Sequence, residues 1–149
     1  MKKDTIAIIL TGTSAAGKSS LAKKLSEEFG IPLFAVGGYE REYATKLGYS
    51  SVLEFEKAVG LEKAYFALIP QMLDEIKKIA QGNEIIIEGL YDPALYAKIC
   101  EMFGSKTVHL FNVTSSRHSR VRRIMMIKRI SKKNAKKYLS GLEKSKNIV

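Results

Sequence analysis

The chain has 149 residues, of which 46% are hydrophobic, and this suits one compact domain with a buried core. No apolar run approaches the roughly 18 residues that cross a membrane, so we predict no membrane span. The net charge of +10 is concentrated in the last third, where residues 106–149 carry 13 Lys or Arg and one acid, Glu143. Such a basic segment predicts an anionic partner, which could be a triphosphate, a phosphorylated acceptor or nucleic acid.

The chain opens with a predicted strand, a glycine-containing loop and a helix. Residues 5–11 are apolar and rich in β-branched side chains, and apolar residues recur with helical spacing over residues 19–29. Residues 12–19 between them match G-x-x-x-x-G-K-[ST] without a gap. This context predicts a phosphate-binding loop, the P-loop, formed by Gly12, Thr13, Ser14, Ala15, Ala16, Gly17, Lys18, Ser19 and Ser20.

A loop of this kind binds anions through its backbone. Gly12 and Gly17 can take backbone angles that side chains disfavour, so that successive N–H groups converge on one point. The following helix adds the partial positive charge of its first turn. We expect Lys18 to reach the β- and γ-phosphates of a nucleoside triphosphate and the Ser19 hydroxyl to ligate Mg²⁺. The motif does not indicate what is done with the nucleotide.

The middle of the chain alternates strands with helices. Gly30 ends the first helix, residues 31–36 read as a second strand, and Gly37-Gly38 is predicted to open a loop into a helix over about 39–47. A long helical pattern covers residues 52–80, with a break expected near Gly60 and a bend at Pro70. Residues 84–88 form a third, apolar strand that ends in an acid.

The remaining elements complete the pattern. Asp92-Pro93 predicts a capped helix that ends at Gly104. Residues 107–113 are predicted to form a fourth strand, and two basic helices are predicted to begin near residues 115 and 131. We therefore predict a single α/β domain over residues 1–149, a three-layer α/β/α sandwich with a mostly parallel sheet of four to five strands. In such folds the ligand lies beyond the carboxyl ends of the strands.

The compartment is predicted from two features. The single Cys100 lies in an apolar helical stretch and favours a reducing environment without disulfides. Residues 1–4 lead directly into the first strand and leave no room for a signal peptide. We expect a cytoplasmic protein.

With this order of elements around the P-loop, the chain resembles the P-loop nucleotide kinases, in particular the nucleoside-monophosphate and dephospho-coenzyme A kinase-like proteins of archaea. The resemblance spans most of the chain, and the P-loop is its strongly specific motif. It implies a P-loop NTPase fold. It also implies an enzyme that uses ATP and Mg²⁺ to transfer the γ-phosphate to a small, nucleotide-like acceptor, either a nucleoside monophosphate or dephospho-coenzyme A.

The resemblance also assigns acceptor and metal residues. It implies an acceptor-binding helical insert over about 37–82, in which Arg41 grips the acceptor phosphate; the alternative is a solvated surface arginine. Glu88 at the end of the third strand matches a carboxylate that holds Mg²⁺ through water, although such a carboxylate can instead cap backbone N–H groups. Many relatives carry an aspartate where Gly38 stands and an arginine where Tyr91 stands.

A basic lid over about 114–133 is implied after the fourth strand. Its arginines are Arg117, Arg120, Arg122, Arg123 and Arg129, and their three-residue spacing predicts that several guanidinium groups share one helix side. We assign Arg120 and Arg123, together with Lys18, as the catalytic residues. Met125, Met126 and Ile127 are predicted to pack in the core or at a hinge.

Two questions stay open at this point. Relatives continue into a fifth strand and a final helix, so either this chain is a truncated product or its sheet is shorter, with the fourth strand at an edge. A nucleotide-binding P-loop protein without kinase activity, acting as a regulatory or RNA-associated ATPase, is the alternative function. Nucleic acid is not favoured, because Phe111 and Tyr138 are the only aromatic residues available for stacking in the basic segment.

Overall fold

A parallel sheet forms the centre of the molecule. The computed structural model describes residues 4–145, and in this range strands β1 (Ile6–Thr11), β2 (Leu33–Ala35), β3 (Glu84–Glu88) and β4 (Val108–Asn112) are arranged in the order β2-β3-β1-β4. All three pairings are parallel, and Leu10 of β1 faces Glu88 of β3, which in turn faces Ala35 of β2. The carboxyl ends of the strands therefore meet along one edge.

Helices cover both faces of this sheet. They are α1 (Lys18–Phe29), α2 (Val36–Lys46), α3 (Val52–Val59), α4 (Leu61–Ala80), α5 (Pro93–Phe103), α6 (Arg117–Lys128) and α7 (Lys132–Ser145), with a short 3-10 turn at Ser105–Thr107. Ile86 of β3 packs toward α1, whereas Ile85 and Ile87 join the larger core under α4 and α5. Covered on both faces, β3 is a continuous apolar run. The predicted three-layer α/β sandwich is confirmed.

Local signals fix several boundaries as predicted. Gly60 separates α3 from α4, Asp92 caps α5 by accepting a hydrogen bond from the N–H of Ala94 at 2.8 Å, and Gly30 ends α1 in the left-handed region. Pro70 lies inside α4, which continues across it. Side-chain capping and glycine stops need only neighbouring residues, so the sequence displays them directly.

The predicted loop at Gly37-Gly38 is wrong. Helix α2 begins at Val36, directly after the three-residue strand β2, and takes both glycines into its first turn. Buried Val36 and Ala44 fix this helix against the core. The packing outweighs the cost of about 1 kcal/mol for each glycine in a helix. Strand β2 is shorter than predicted because only Leu33–Ala35 pair with β3.

Strand β4 lies at an edge of the described sheet. This agrees with the alternative, left open by the sequence, of a shorter sheet with the fourth strand at its edge. It pairs with β1, and along it Leu110 and Phe111 are about half exposed. Residues 1–3 and 146–149, which bear on the predictions about the start and end of the chain, lie outside the described residues. Within the described part of the chain, no helix is long and apolar enough to cross a membrane.

Helices α6 and α7 form an antiparallel pair with a small core of their own. Val121 and Ile124 of α6 pack with Ala135 and Leu139 of α7, and Ala15 of the P-loop packs against the same cluster. Met125 also contacts it, as predicted, but Met126 and Ile127 are exposed at 76% and 75%, so the prediction of core packing is wrong for these two. The α6–α7 pair is thus positioned directly on the P-loop.

Candidate active site

The P-loop has the backbone shape that its sequence predicts. Gly17 lies in the left-handed region at φ 99°, directly before the first residue of α1, and contributes no side-chain cap to that helix. Gly12 also has a positive φ, and a Cβ there would collide with the carbonyl of Val113 at the end of β4. Small residues at both positions let the backbone turn tightly between β1 and α1.

Lys18 is held inside the loop. Its side chain is buried, Nζ donates a hydrogen bond to the Thr13 carbonyl at 2.9 Å, and the ammonium lies 5.4 Å from the centre of the Tyr91 ring. A cation at this distance from a ring face is attracted by the π electrons. The carbonyl and the ring together place the charge of Lys18 at the carboxyl edge of the sheet.

Ser19 and Glu88, the two predicted metal-binding residues, meet in the structure. The Ser19 hydroxyl donates to Oε1 of Glu88 at 3.0 Å. Two further bonds hold the ends of β1 and β3 together: the Thr11 hydroxyl donates to the Leu90 carbonyl at 2.9 Å, and the Gly89 N–H donates to the Leu10 carbonyl at 3.0 Å. The hydroxyl and the carboxylate are therefore fixed beside Lys18.

This arrangement fits a nucleotide and Mg²⁺. Ser14 of the P-loop is buried, and its hydroxyl has no hydrogen-bond partner among the described residues, so it remains a donor for an anion. The described residues contain no group of three or more His, Cys, Asp or Glu that could hold a metal. A hydroxyl and one carboxylate suit Mg²⁺, which usually keeps several waters and binds substrate phosphates besides one or two protein oxygens. Ser20, the last of the predicted loop residues, is exposed on α1.

The predicted lid arginines do not share one environment. Arg123 crosses to the P-loop, where Nη1 donates to the Ala15 carbonyl at 2.8 Å and to the Ser115 hydroxyl at 3.1 Å. Arg120 is instead buried, and its Nη1 donates to Oε1 of Glu143 on α7 at 2.7 Å. Of the two residues that we assigned as catalytic beside Lys18, the structure brings only Arg123 onto the loop.

The other lid arginines lie elsewhere. Arg117 shares Glu143 with Arg120 at 3.4 Å and donates to the Ser140 hydroxyl at 3.1 Å. Arg122 is exposed, and Arg129 follows the end of α6 in the left-handed region. The guanidinium groups are thus divided between two partners: Arg117 and Arg120 meet at Glu143, whereas Arg123 reaches the P-loop.

Arg41 lies at the start of the helical insert. Its guanidinium folds back over the first turn of α2, where a methyl group built on Gly37 would be 3.5 Å from Nη1. The residue is exposed. Helix α2 begins directly after β2, whose last residue, Ala35, pairs with Glu88 at the carboxyl edge of the sheet.

Two tyrosines near this edge keep their protons to high pH. Burial, followed by the charges of Glu88 and Glu40, raises the pKa of Tyr91 to about 12. Burial, followed by Glu40, Glu56 and Asp92, raises the pKa of Tyr65 to about 12. Both phenols are neutral hydrogen-bonding groups at physiological pH.

A groove with a cavity volume of about 140 Å³ lies between α2 and α4, away from the P-loop, and Tyr39, Tyr43 and Gln71 are among the residues that line it. Typical small-molecule sites occupy about 300–1,000 Å³, so this groove does not compete with the P-loop as the nucleotide site.

A family model described as an AAA domain matches residues 8–145. The chain belongs to this family. Among curated proteins, a cytidylate kinase from Desulfurococcus amylolyticus is 31% identical over 85 residues, which are 56% of this chain and 44% of that kinase. The chain therefore spans less than half of the length of that relative.

Solved structures show the same fold. The chain superposes on shikimate kinase from Bacteroides thetaiotaomicron with a TM-score of 0.61 at 19% identity, covering 95% of this chain and 79% of that one. For a gluconokinase from Sinorhizobium meliloti 1021 the TM-score is 0.56 at 14% identity, with 93% and 75% covered. The predicted resemblance to P-loop nucleotide and small-molecule kinases is confirmed.

Three contacts of the site were missed by reasoning from the sequence: the Tyr91 ring against Lys18, the Ser115 hydroxyl on Arg123, and Glu143 on Arg120. For Glu143 a signal existed, because it is the one acid in residues 106–149. A lone acid among so many cations is expected to pair with some of them, although the sequence does not say with which.

Proposed function

We propose that this protein is a phosphotransferase that moves the γ-phosphate of ATP to a small acceptor in the presence of Mg²⁺. The observation that carries the proposal is the contact of Ser19 with Glu88 at 3.0 Å, beside the buried Lys18 of the P-loop. A hydroxyl, a carboxylate and a loop ammonium in one place are the groups that hold a metal-bound triphosphate.

Each group has a role in this reaction. The P-loop N–H groups, the Ser14 hydroxyl and Lys18 would bind the phosphates, while Ser19 directly and Glu88 through water would hold Mg²⁺. The metal ion, when bound, neutralises charge on the phosphates. Arg123, which reaches the loop, adds a planar cation for the charge that spreads over the transferring phosphoryl group. The chain works by positioning and electrostatics, without a covalent enzyme intermediate.

The acceptor that we propose is a nucleoside monophosphate, with dephospho-coenzyme A second. The cytidylate kinase relative supports a nucleotide, and Arg41 of α2, which lies over the first turn of that helix, offers a guanidinium for an acceptor phosphate. Many relatives have an aspartate where Gly38 stands, and Gly38 has no side chain to contact the acceptor or take its proton. The absence of this aspartate weighs against dephospho-coenzyme A.

An acceptor screen tests this function. ATP consumption would be measured with Mg²⁺ and each of cytidine, uridine, adenosine and guanosine monophosphates, dephospho-coenzyme A, shikimate and gluconate. We expect one nucleoside monophosphate to raise turnover well above the rate without acceptor, and EDTA to abolish it. ATP binding without acceptor-dependent turnover on any of them would contradict the proposal.

The alternative is a nucleotide-binding protein that associates with RNA. Its support is the row of exposed lysines on α7, namely Lys132, Lys133, Lys136 and Lys137. Of the two aromatics of this segment, Tyr138 already lies against Lys128, whose Nζ is 4.6 Å from the ring centre, and Phe111 alone is a small platform for stacking bases. We expect weak RNA binding that is largely lost between about 50 and 200 mM salt. Tight binding at physiological salt would favour the alternative, and a cytoplasmic location stays a prediction under both.

A further inference from the structure

Glu143 occupies a position in the basic segment that the proposed function does not explain. It is the one acidic residue among residues 106–149, and it lies on α7, far along the chain from the P-loop. Its carboxylate is 2.7 Å from Nη1 of Arg120 and 3.4 Å from Nη1 of Arg117. Two cations of α6 therefore meet the single anion that this segment offers.

The Arg120 contact is buried. The side chain of Arg120 is 8% exposed and that of Glu143 is 20% exposed, and the apolar cluster of Val121, Ile124 and Leu139 lies along the same interface of α6 and α7. A buried guanidinium without a counter-charge is costly, so removal of one partner alone disturbs its surroundings strongly. The position of α6 thus depends on an anion that α7 supplies.

The geometry of α6 connects this pair to the P-loop. Arg117, Arg120 and Arg123 are three residues apart, and each such step turns back by roughly 60° around the helix. The three arginines consequently lie along one side of α6, with Arg117 and Arg120 against Glu143. Arg123, at the other end, donates to the Ala15 carbonyl of the P-loop at 2.8 Å. A rotation or shift of α6 that lets Arg120 escape burial would move Arg123 off the loop.

We propose that Glu143 is a positioning residue that fixes α6 through Arg120, so that Arg123 is presented to the P-loop and to the phosphates bound there. Arg120 then acts through α7 and does not touch the phosphoryl group, a different role from the catalytic one that its sequence position predicted. The inference deepens the proposed function and rests on it for the catalytic readout, while the effect on α6 and the P-loop is measurable in the protein without nucleotide.

Paired substitutions separate positioning from direct catalysis. Glu143→Gln keeps the shape and removes the charge, Arg120→Met removes the cation, and Arg120→Met/Glu143→Leu replaces the whole pair by apolar side chains, a change that proteins often tolerate. Glu101→Gln is the matched control, because it removes an exposed carboxylate that lies 3.2 Å from Lys98 on α5. Amide hydrogen exchange of α6 and the P-loop, melting temperature, kcat and the two KM values would be measured for each.

We expect Glu143→Gln to raise amide exchange in α6 and the P-loop at least about tenfold without nucleotide. It should lower kcat about 10- to 100-fold, as misplaced catalytic groups do, with each KM changed less than about threefold. The apolar double variant should return exchange and kcat to within about fivefold of the wild type. The Glu101→Gln control should match the wild type.

Two results would overturn the inference. A double variant as slow as Arg120→Met, with native exchange, would place Arg120 on the phosphoryl group itself. Unchanged P-loop exchange in a folded Glu143→Gln protein would show that Glu143 does not position α6. If Glu143→Gln does not fold, the comparison of the apolar double variant with Arg120→Met decides between positioning and direct catalysis. Absence of phosphoryl transfer in the wild type would defeat the proposed function, whereas the exchange measurements would still decide the positioning role.

Discussion

Removal of Arg123 tests whether the α6–α7 pair supplies catalytic charge. The Arg123→Ala change deletes an exposed guanidinium with two hydrogen bonds, to the Ala15 carbonyl at 2.8 Å and the Ser115 hydroxyl at 3.1 Å. Their loss should lower the free energy of unfolding by about 1–3 kcal/mol, since each such hydrogen bond typically contributes a net 0.5–1.5 kcal/mol. Loss of a preorganised donor to the transferring phosphoryl group typically lowers kcat about 10²- to 10³-fold.

The two effects are separable by experiment. Steady-state kinetics would give kcat and KM, calorimetric titration the ATP dissociation constant, and urea unfolding the stability. We expect the large loss in kcat together with an ATP affinity within about threefold of the wild type, because the charge is needed mainly in the transition state. Lys136→Ala, which removes an exposed cation from α7, serves as the charge-matched control. Equal losses in kcat for both variants, or an ATP affinity that falls as much as kcat, would refute the reasoning.

Three further predictions concern the P-loop, the acceptor and the buried phenols. Lys18→Ala removes the ammonium that lies on the Thr13 carbonyl, and ATP affinity or turnover should fall at least about 10²-fold; unchanged calorimetric binding and turnover would exclude the P-loop assignment. Arg41→Ala should raise the KM of a phosphorylated acceptor about 30- to 150-fold and leave that of ATP unchanged, whereas equal effects in initial-rate measurements would place Arg41 elsewhere. Because burial raises the pKa values of Tyr65 and Tyr91 from 10.0 to about 12, the folded state disfavours their phenolates. Their contribution to stability is complete below pH 10 and is lost as pH rises from 10 toward 12, where the unfolded chain ionises first. Ultraviolet titration should show tyrosinates that form late, with two fewer of them in Tyr65→Phe/Tyr91→Phe; a folded protein whose seven tyrosines all ionise near pH 10 would contradict this.

The parts of the site that follow strand ends could be predicted from the sequence. The P-loop motif names its own residues, and the resemblance to the nucleotide kinases assigned Glu88 to the Mg²⁺ that Ser19 was expected to ligate. The structure places the two 3.0 Å apart. The alternation of strands and helices was enough to predict the three layers and the sheet edge at which these residues meet.

Contacts that depend on how helices dock could not be predicted in the same way. Arg120 and Glu143 are 23 residues apart, and helical spacing describes neighbours within α6 only, so it suggested a shared arginine face instead of a partner on α7. The start of α2 was misplaced for a related reason: burial of Val36 and Ala44 overrides the local preference of Gly37-Gly38 for a loop.

The central claim is that this chain transfers the γ-phosphate of ATP to a small acceptor at the P-loop. The most direct measurement follows the label from γ-phosphoryl-labelled ATP with Mg²⁺ and the best acceptor of the screen, in the wild type and in Lys18→Ala. We predict labelled phosphorylated acceptor in stoichiometric balance with ADP from the wild type, and a yield at least about 10²-fold lower from Lys18→Ala. Label found in inorganic phosphate alone, or equal transfer by both proteins, would contradict the account.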